Sequence, residues 1–352
     1  MKTIVIIALF LVTIPSYSQQ LPPLKTVTMA TPSQRAVVMQ QVGLTEISVT
    51  YNRPGVKGRK IYGEIVPYND GKPYPWRAGA EENTTISFQH DVTIENKPLS
   101  SGKYGLHIIP KEGSWIFIFS KNSTSWGSFT YNKDEDALRV EVKSTEIPHQ
   151  EWLEYEFTPL SDSSSKLSLR WEKLEGSILI EVDTKAITLQ NIRNELRSYT
   201  GFSWPGYFSA AYWCAQNNYN LEEALTWIDI VLRGNLGYNV VKTKADILTK
   251  LGRAEEAKKV FDIINELGSY NELMGYVNNL ILQNDSKANE VIEISVKRFP
   301  TNKSKIWYAV GNAYRRRKDK ENALLSYNKA LKYSNDEALK SQIVKAISDL
   351  KS

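Results

Sequence analysis

The chain of 352 residues contains a single cysteine, Cys214, and only three histidines. One thiol cannot form an internal disulfide, and no histidine follows His149, so a cysteine–histidine catalytic pair is not expected. His90, His107 and His149 include no pair at the spacing that zinc sites use. Cys214 lies in an aromatic-rich helical stretch and is interpreted as a core residue. We therefore predict no metal, no cofactor and no catalytic residues.

The short motifs that mark common enzyme classes are missing as well. The sequence has no nucleophile elbow, no phosphate-binding glycine loop and no dinucleotide fingerprint. Glu81 and Glu82 are adjacent, so on a strand they would point to opposite faces and would not form a glycosidase pair. Nucleic-acid binding is not expected, because the chain lacks a strong basic stripe.

Only one long apolar run occurs, at residues 4–14, shortly after Lys2. Ser16 and Ser18 follow it at the positions that a signal peptidase reads, which predicts a signal peptide over 1–18 and cleavage before Gln19. The alternative is a buried N-terminal strand. No cysteine directly follows the run and no later segment is long and apolar enough for a membrane span. We expect a soluble, exported protein, periplasmic or extracellular, without a lipid anchor.

Charge divides the rest of the chain into two parts. Residues 19–186 carry 19 Lys/Arg and 21 Asp/Glu, whereas residues 187–352 carry 24 and 18. This difference predicts a domain boundary near residue 186. The basic second half suits an acidic protein or an anionic surface as its partner.

The first half shows the alternation of apolar and polar residues that is typical of strands. It recurs over residues 44–51, 153–157, 167–171 and 178–182, and turn signals such as 111–114 separate the runs. No helical window interrupts them. We predict an antiparallel β-sandwich, jelly-roll-like, over 19–186, with a small β-barrel as the main alternative.

The second half contains an internal repeat at about residues 203–335, after a connecting helix that begins near residue 187. Four alanines recur at spacings of 33, 31 and 35 residues, close to the period of about 34 that is typical of tetratricopeptide repeats. These anchor residues are Ala224, Ala257, Ala288 and Ala323. Residues 339–350 are predicted to form the capping helix that a helical-pair solenoid needs.

The clearest copy of the repeat ends the array. Gly311, Ala323 and Ala330 are expected where two antiparallel helices cross closely, with large side chains around them. The large residues of this copy are Trp307, Tyr314 and Tyr327. The basic run Arg315–Lys318 falls at the turn between its two helices. It is interpreted either as a contact for an acidic partner or as a solvated helix end.

The first half also resembles a protein family, the exported bacterial domain of unknown function 2911, over about residues 28–185. The motifs that carry the resemblance are Thr31-Pro32-Ser33, Val42-Gly43-Leu44-Thr45, Tyr51-Asn52-Arg53-Pro54, Lys57-Gly58-Arg59, Val66-Pro67-Tyr68, Trp76-Arg77-Ala78-Gly79-Ala80-Glu81, Ser101-Gly102-Lys103-Tyr104-Gly105-Leu106, Ile109-Pro110, Trp126-Gly127 and Leu169-Arg170-Trp171-Glu172. The sequence departs from the family pattern at Glu81-Glu82 and in an insertion over residues 69–75. The resemblance implies a fold and an exported location but no chemistry.

The stretch 52–82 is the candidate binding site, because long connections in compact domains are often functional. Aromatic rings and guanidinium groups there would stack on a sugar or clamp a carboxylate. The candidate residues are Arg53, Tyr74, Trp76, Arg77 and Glu81, together with Trp126. In the alternative interpretation Trp76 closes the end of the sandwich, and Arg77 and Arg53 pair with Glu81 or Glu64.

The sequence therefore favours a non-catalytic binding scaffold in the cell envelope, whose helical repeats bind a protein or peptide. The second hypothesis is a carbohydrate-binding or carbohydrate-processing sandwich. The third is a purely structural role.

Overall fold

The computed structural model describes residues 30–351, so the predicted signal peptide and its cleavage site lie outside the described residues. The chain forms two compact units, the first ending at Val182 and the second beginning at Asp183. Among the described residues, none of the helices has the length and apolar character needed to cross a membrane. No group of three or more potential metal-binding side chains comes together within residues 30–351 either.

The first unit is an antiparallel sheet of nine strands in the order β1-β2-β3-β6-β7-β8-β9-β4-β5. Its strands are β1 (Gln34–Val42), β2 (Thr45–Arg53), β3 (Thr85–Phe88), β4 (Val92–Ile94), β5 (Lys97–Leu99), β6 (Gly102–Lys111), β7 (Ser114–Ser120), β8 (Asp136–Ser161) and β9 (Ser164–Glu181).

Strand β8 belongs to both layers of this unit. Up to Lys143 it pairs with β7, and from Ser144 it pairs with β9, with the register shifting at several places beyond Glu146. The sheet thereby doubles over on itself. Trp115 of β7 packs so closely on Gly176 of β9 that an added Cβ there would lie 2.1 Å from the indole ring. The predicted class, an antiparallel β-sandwich followed by a helical solenoid, is confirmed.

The alternating apolar residues predicted from the sequence form the core between the layers. Ile47, Val49 and Tyr51 of β2 are buried, as are Leu153 and Tyr155 of β8. The rings of Tyr51 and Tyr155 meet edge to face at 4.7 Å between centroids. Such contacts stabilise the two-layer arrangement by removing large apolar surfaces from water.

The second unit consists of ten helices within the described residues. They are α1 (Thr184–Glu195), α2 (Trp204–Asn217), α3 (Leu221–Leu232), α4 (Tyr238–Lys250), α5 (Ala254–Leu267), α6 (Tyr270–Leu282), α7 (Ala288–Arg298), α8 (Lys303–Arg316), α9 (Lys320–Lys332) and α10 (Glu337–Lys351). Helices α2 to α9 form four pairs. Helix α10 follows α9 and buries Ile343 and Ala346 in a cluster with Tyr327 of α9, as a capping helix would.

The first helix of every pair ends in the same way. The turn places one residue in the left-handed conformation. The residue after it donates its N–H to the carbonyl five residues before itself, which is the 6→1 bond of a Schellman motif. These bonds run from Tyr219 to Cys214, Arg253 to Leu248, Asp285 to Leu280 and Asp319 to Tyr314, at 2.8–3.0 Å. The left-handed residues are Asn218, Gly252, Asn284 and Lys318, spaced 34, 32 and 34 residues apart.

The four anchor alanines are all buried in the second helix of a pair. Ala224, Ala257 and Ala323 each stand fourth in their helix, whereas Ala288 stands first in α7. The difference arises in the turn before α7, where Asp285 accepts hydrogen bonds from the N–H groups of Lys287 and Ala288 and the helix begins later. The anchor alanine therefore recurs four to six positions after the left-handed residue of every pair, while the turn length varies.

The basic run at the end of α8 contacts the preceding pair. Arg317 donates to the carbonyl of Ile281 at 3.1 Å, to Oδ1 of Asn284 at 2.6 Å and to the carboxylate of Asp319 at 2.6 Å. Arg316 donates to Oδ1 of Asn278. Two of the four basic side chains therefore join successive helix pairs.

Cys214 is buried in α2, and this burial raises the pKa of its thiol to about 11. A thiol with such a pKa is protonated at neutral pH and is a poor nucleophile.

Candidate functional site

One side of the first helices is not covered by other described parts of the second unit. We define the first-helix face by the residues two, six and ten positions before each left-handed turn residue, none of which is buried. They are Phe208, Tyr212 and Gln216 of α2; Lys242, Asp246 and Lys250 of α4; Met274, Asn278 and Leu282 of α6; and Tyr308, Asn312 and Arg316 of α8. Equivalent positions in stacked repeats form a continuous surface for a partner.

A cleft of about 490 Å³ opens on this face between α2 and α4. The rings of Phe208 and Tyr212 stack at 5.9 Å on one side, and Tyr212 is 48% exposed. Lys242 and Asp246 line the opposite side. The cleft therefore offers an apolar wall and a charged wall, as a site for one side chain of a bound peptide requires.

Two asparagines on the first-helix face are held by other side chains. Oδ1 of Asn278 accepts from Arg316, and Oδ1 of Asn312 accepts from the Tyr327 hydroxyl at 2.8 Å. These bonds fix the orientation of both amides and leave the NH2 groups without a hydrogen-bond partner within residues 30–351. An amide NH2 group is a suitable donor to a peptide carbonyl.

The first-helix face is basic. Asp246 is its one acidic residue at the defining positions, and Lys250 lies 3.0 Å from its carboxylate. Lys242 and Arg316 form no ion pair with any described carboxylate. The face thus attracts acidic segments more than basic ones.

A second candidate site lies on the first unit, where Arg77 contacts two exposed rings and a third ring packs beside them. The Cζ atom of Arg77 lies 5.5 Å from the ring centroids of both Trp126 and Phe129. Those two rings stack at 5.6 Å, and Tyr74 packs edge-on against Phe129 at 5.1 Å. Trp126 is 60% exposed and Phe129 52% exposed. We call this group of Tyr74, Arg77, Trp126 and Phe129 the aromatic cleft.

The aromatic cleft borders a cavity of about 300 Å³, which is small-molecule size. Tyr74, Trp76 and Arg77 line it together with Ser128. Asn69 and Gly71 also line it, and the remaining wall is formed by apolar side chains, namely Ile65, Val66, Pro67, Pro73, Pro75, Ile108, Ile109 and Pro110.

Trp76 is held in place by main-chain hydrogen bonds and ring contacts. Its backbone exchanges two hydrogen bonds with Ile108 of β6, at 2.9 and 2.8 Å. Its indole stacks on Trp171 at 5.8 Å, and its ring N–H donates to the carbonyl of Gly79 at 3.2 Å. Only part of the ring is exposed, so Trp76 forms the floor of the cavity.

The structure places some of the other candidate binding residues at the aromatic cleft and one of them in a different part of the first unit. Arg77 donates to the main-chain carbonyl of Glu81 at 2.6 Å, so the interaction does not involve the Glu81 carboxylate. Arg53 lies apart, where it donates to the Leu153 carbonyl and pairs with Glu154 at 3.6 Å. Tyr74, Trp76, Arg77 and Trp126 are thus brought together, and Arg53 is not.

Phe129 was not singled out in the sequence, although it completes the aromatic cleft. It lies between serine and threonine in a stretch without regular periodicity. The one nearby signal was Trp126-Gly127, since glycine permits the positive φ of 66° that the chain adopts there.

A buried polar network lies beneath Ser128. The imidazole Nδ1 of His107 is 2.9 Å from the Ser128 hydroxyl, and the ring meets Tyr131 edge to face at 5.4 Å. Burial lowers the His107 pKa to about 4, although the charge of Asp136 acts in the opposite direction. Asp136 in turn accepts from the Tyr131 hydroxyl and from Arg139. A neutral histidine with so low a pKa is a weak general base, so this network supports the loop rather than catalysis.

Comparison with known proteins agrees with the two-part architecture. Residues 33–180 match the family described as protein of unknown function (DUF2911), and residues 304–337 match the tetratricopeptide repeat. The resemblance inferred from the sequence is thereby confirmed. Comparison with curated proteins found no match.

Several solved structures match the chain. One is YrrB, a tetratricopeptide-repeat protein described as having an unusual peptide-binding site. It is 18% identical, with a TM-score of 0.23, and the alignment covers 45% of this chain and 81% of that protein.

Proposed function

We propose that this protein is a binding scaffold whose first-helix face holds an acidic, extended segment of another protein. The observation that carries the proposal is the row of uncovered side chains at equivalent positions of four helix pairs. The cleft beside Tyr212 accepts an apolar side chain, and Lys242 and Arg316 attract carboxylates. The oriented amides of Asn278 and Asn312 donate to the backbone of the bound segment.

We also propose that the protein acts outside the cytoplasm, in the cell envelope, periplasmic or extracellular. The support is the sequence pattern of residues 1–18, in which a lysine precedes a short apolar run and small residues follow at the cleavage positions. The partner would accordingly be an envelope protein or peptide. Cell fractionation of the full-length chain tests the location, and a protein that stays in the cytoplasm with residues 1–18 attached would refute it.

The binding proposal is tested by selecting ligands from a randomised displayed-peptide library with the mature chain, beginning at Gln19. Acidic peptides with an apolar residue should be enriched. Lys242→Glu should weaken binding of a selected peptide by about tenfold, because it reverses an uncompensated charge at the cleft.

Lys259→Glu is the matched control, since it makes the same charge change at an exposed position of the second helix α5. It should leave binding within about twofold of the unaltered protein. Failure to enrich any peptide, or equal losses in the two variants, would rule out the first-helix face as the binding surface.

A second candidate function is carbohydrate binding at the aromatic cleft. Soluble proteins usually hide large aromatic side chains, yet Trp126 and Phe129 are both more than half exposed and stack beside a cavity. Trp126→Ala should abolish retention on a glycan array while far-UV and near-UV circular dichroism stay unchanged. An array on which the unaltered protein binds nothing would remove this candidate.

A further inference from the structure

We infer that the ligand of the aromatic cleft is a saccharide that carries a carboxylate, with the sugar ring against Trp126 and Phe129 and the carboxylate on Arg77. This inference rests on the second candidate function, carbohydrate binding at the same site. Four features of the cleft support the choice of an anionic sugar.

The first feature is the charge of Arg77. Its Nη1 donates to the main-chain carbonyl of Glu81, which is neutral, and no carboxylate of residues 30–351 forms an ion pair with the guanidinium. Cation–π attraction holds the guanidinium over the rings of Trp126 and Phe129, and its positive charge stays available to a ligand. The guanidinium fork matches the two oxygens of a carboxylate.

The second feature is the availability of the rings. Trp126 and Phe129 are nearly parallel, with 19° between their planes, and each keeps more than half of its surface open. Flat apolar faces of this kind pack against the C–H face of a sugar ring. Because Arg77 Cζ is equally distant from both rings, a sugar on either ring brings its substituents near the guanidinium.

The third feature is the support around Arg77. Gly127 approaches it so closely that an added Cβ would lie 3.1 Å from Cζ. On the other side, Ala78 and Glu81 adopt positive φ of 53° and 55°, an unfavourable conformation for residues with a side chain. The Ala78 carbonyl accepts from the Tyr155 hydroxyl at 2.9 Å and from Thr84 at 3.2 Å, which holds this backbone in place. Such support preorganises a binding group.

The fourth feature is size. A sugar on Trp126 or Phe129 would place its substituents at Arg77 and in the adjoining cavity of about 300 Å³, which is too small for a folded protein surface. Among the described residues that line this cavity, Arg77 is the one that carries a charge, so the carboxylate would be recognised chiefly there.

The test uses the mature chain, which begins at Gln19. The four probes are D-glucuronate, D-galacturonate, N-acetylneuraminate and N-acetylmuramate. Each probe is titrated by calorimetry as the free acid and as its methyl ester, which keeps the ring but removes the charge. At least one acid should bind about tenfold or more tightly than its ester. Arg77→Gln should remove that preference, whereas Trp126→Ala should remove binding of both forms.

Arg35→Gln is the control, because Arg35 is an exposed arginine of strand β1. It should leave the preference for the acid unchanged. Equal binding of an acid and its ester would overturn the anionic-sugar inference while retaining carbohydrate binding. Failure of all acids and esters to bind would overturn both the inference and the candidate function.

Discussion

The ring of Tyr327 lies against Gly311 so closely that a methyl group on Gly311 would come within 2.4 Å of Cδ1. Tyr327 is fully buried, and its hydroxyl is held by Asn312, so the ring cannot retreat easily. Gly311→Ala should therefore lower the free energy of unfolding of the helical unit by about 1–3 kcal/mol, even though alanine favours helices. Urea unfolding followed by far-UV circular dichroism measures the change.

Gly275 provides the matched control for that substitution. It lies in helix α6, and an added Cβ would have no neighbour within 4 Å. Gly275→Ala should raise stability by about 0.5–1 kcal/mol, because alanine loses less backbone entropy in a helix. Equal effects of the two substitutions would show that the close crossing of α8 and α9 is not what requires glycine at position 311.

Lys318 occupies the left-handed position that Gly252 occupies in the second pair and asparagines occupy in the other two. Its φ of 65° is unfavourable for a lysine, and no packing contact requires the side chain, which is exposed. Lys318→Gly should stabilise the helical unit by about 0.5–1 kcal/mol in urea unfolding. Lys345→Gly, at an exposed position in the interior of helix α10, should instead destabilise it by about as much. A loss of stability in Lys318→Gly would contradict the turn geometry.

The repeat was predictable because its physical cause is local. Ala224, Ala257 and Ala323 must be small wherever paired helices cross, so their spacing shows the register directly in the sequence. The later start of helix α7, which makes Ala288 its first residue, could not be predicted from the sequence. It depends on hydrogen bonds that Asp285 accepts from two backbone N–H groups before α7. Likewise, Lys318 gives no sign in the sequence of its left-handed conformation, because glycine and asparagine are the usual residues there.

The β half was predictable in class but not in detail. The alternation of apolar and polar residues identifies which residues of β8 face the core. It does not predict that this strand continues through both layers. That path depends on Trp115 closing over Gly176, a contact between residues far apart in sequence. The aromatic cleft shows the same limit. Phe129 could not be recognised as a site residue from the sequence, because its role depends on the fold bringing Arg77 beside its ring.

His107 should make the first unit less stable in mild acid. Burial lowers its pKa to about 4 in the folded protein, whereas an unfolded histidine has a pKa of about 6.5. Between these values the unfolded chain binds a proton that the folded chain excludes, so the free energy of unfolding falls as the pH decreases from about 6.5 to 4. The full difference is of the order of 3 kcal/mol.

Urea unfolding at several pH values compares the unaltered chain with His107→Gln, which retains a partner for the Ser128 hydroxyl. The variant should lose this part of the pH dependence. His149→Gln is measured alongside as the control for replacing an exposed histidine. An identical pH profile in His107→Gln would refute a neutral, buried imidazole.

Arg317 should contribute to stability by joining two helix pairs. Its guanidinium donates to the Ile281 carbonyl and the Asn284 side chain of one turn and to Asp319 of the next, and charge-assisted bonds of this kind are stronger than neutral ones. Arg317→Gln should lower the free energy of unfolding by about 1–3 kcal/mol. Arg315→Gln, two residues earlier on the exposed side of α8, should change it by less than about 0.5 kcal/mol. If both substitutions cost the same, the general basicity of this helix end, rather than the link between turns, would account for the effect.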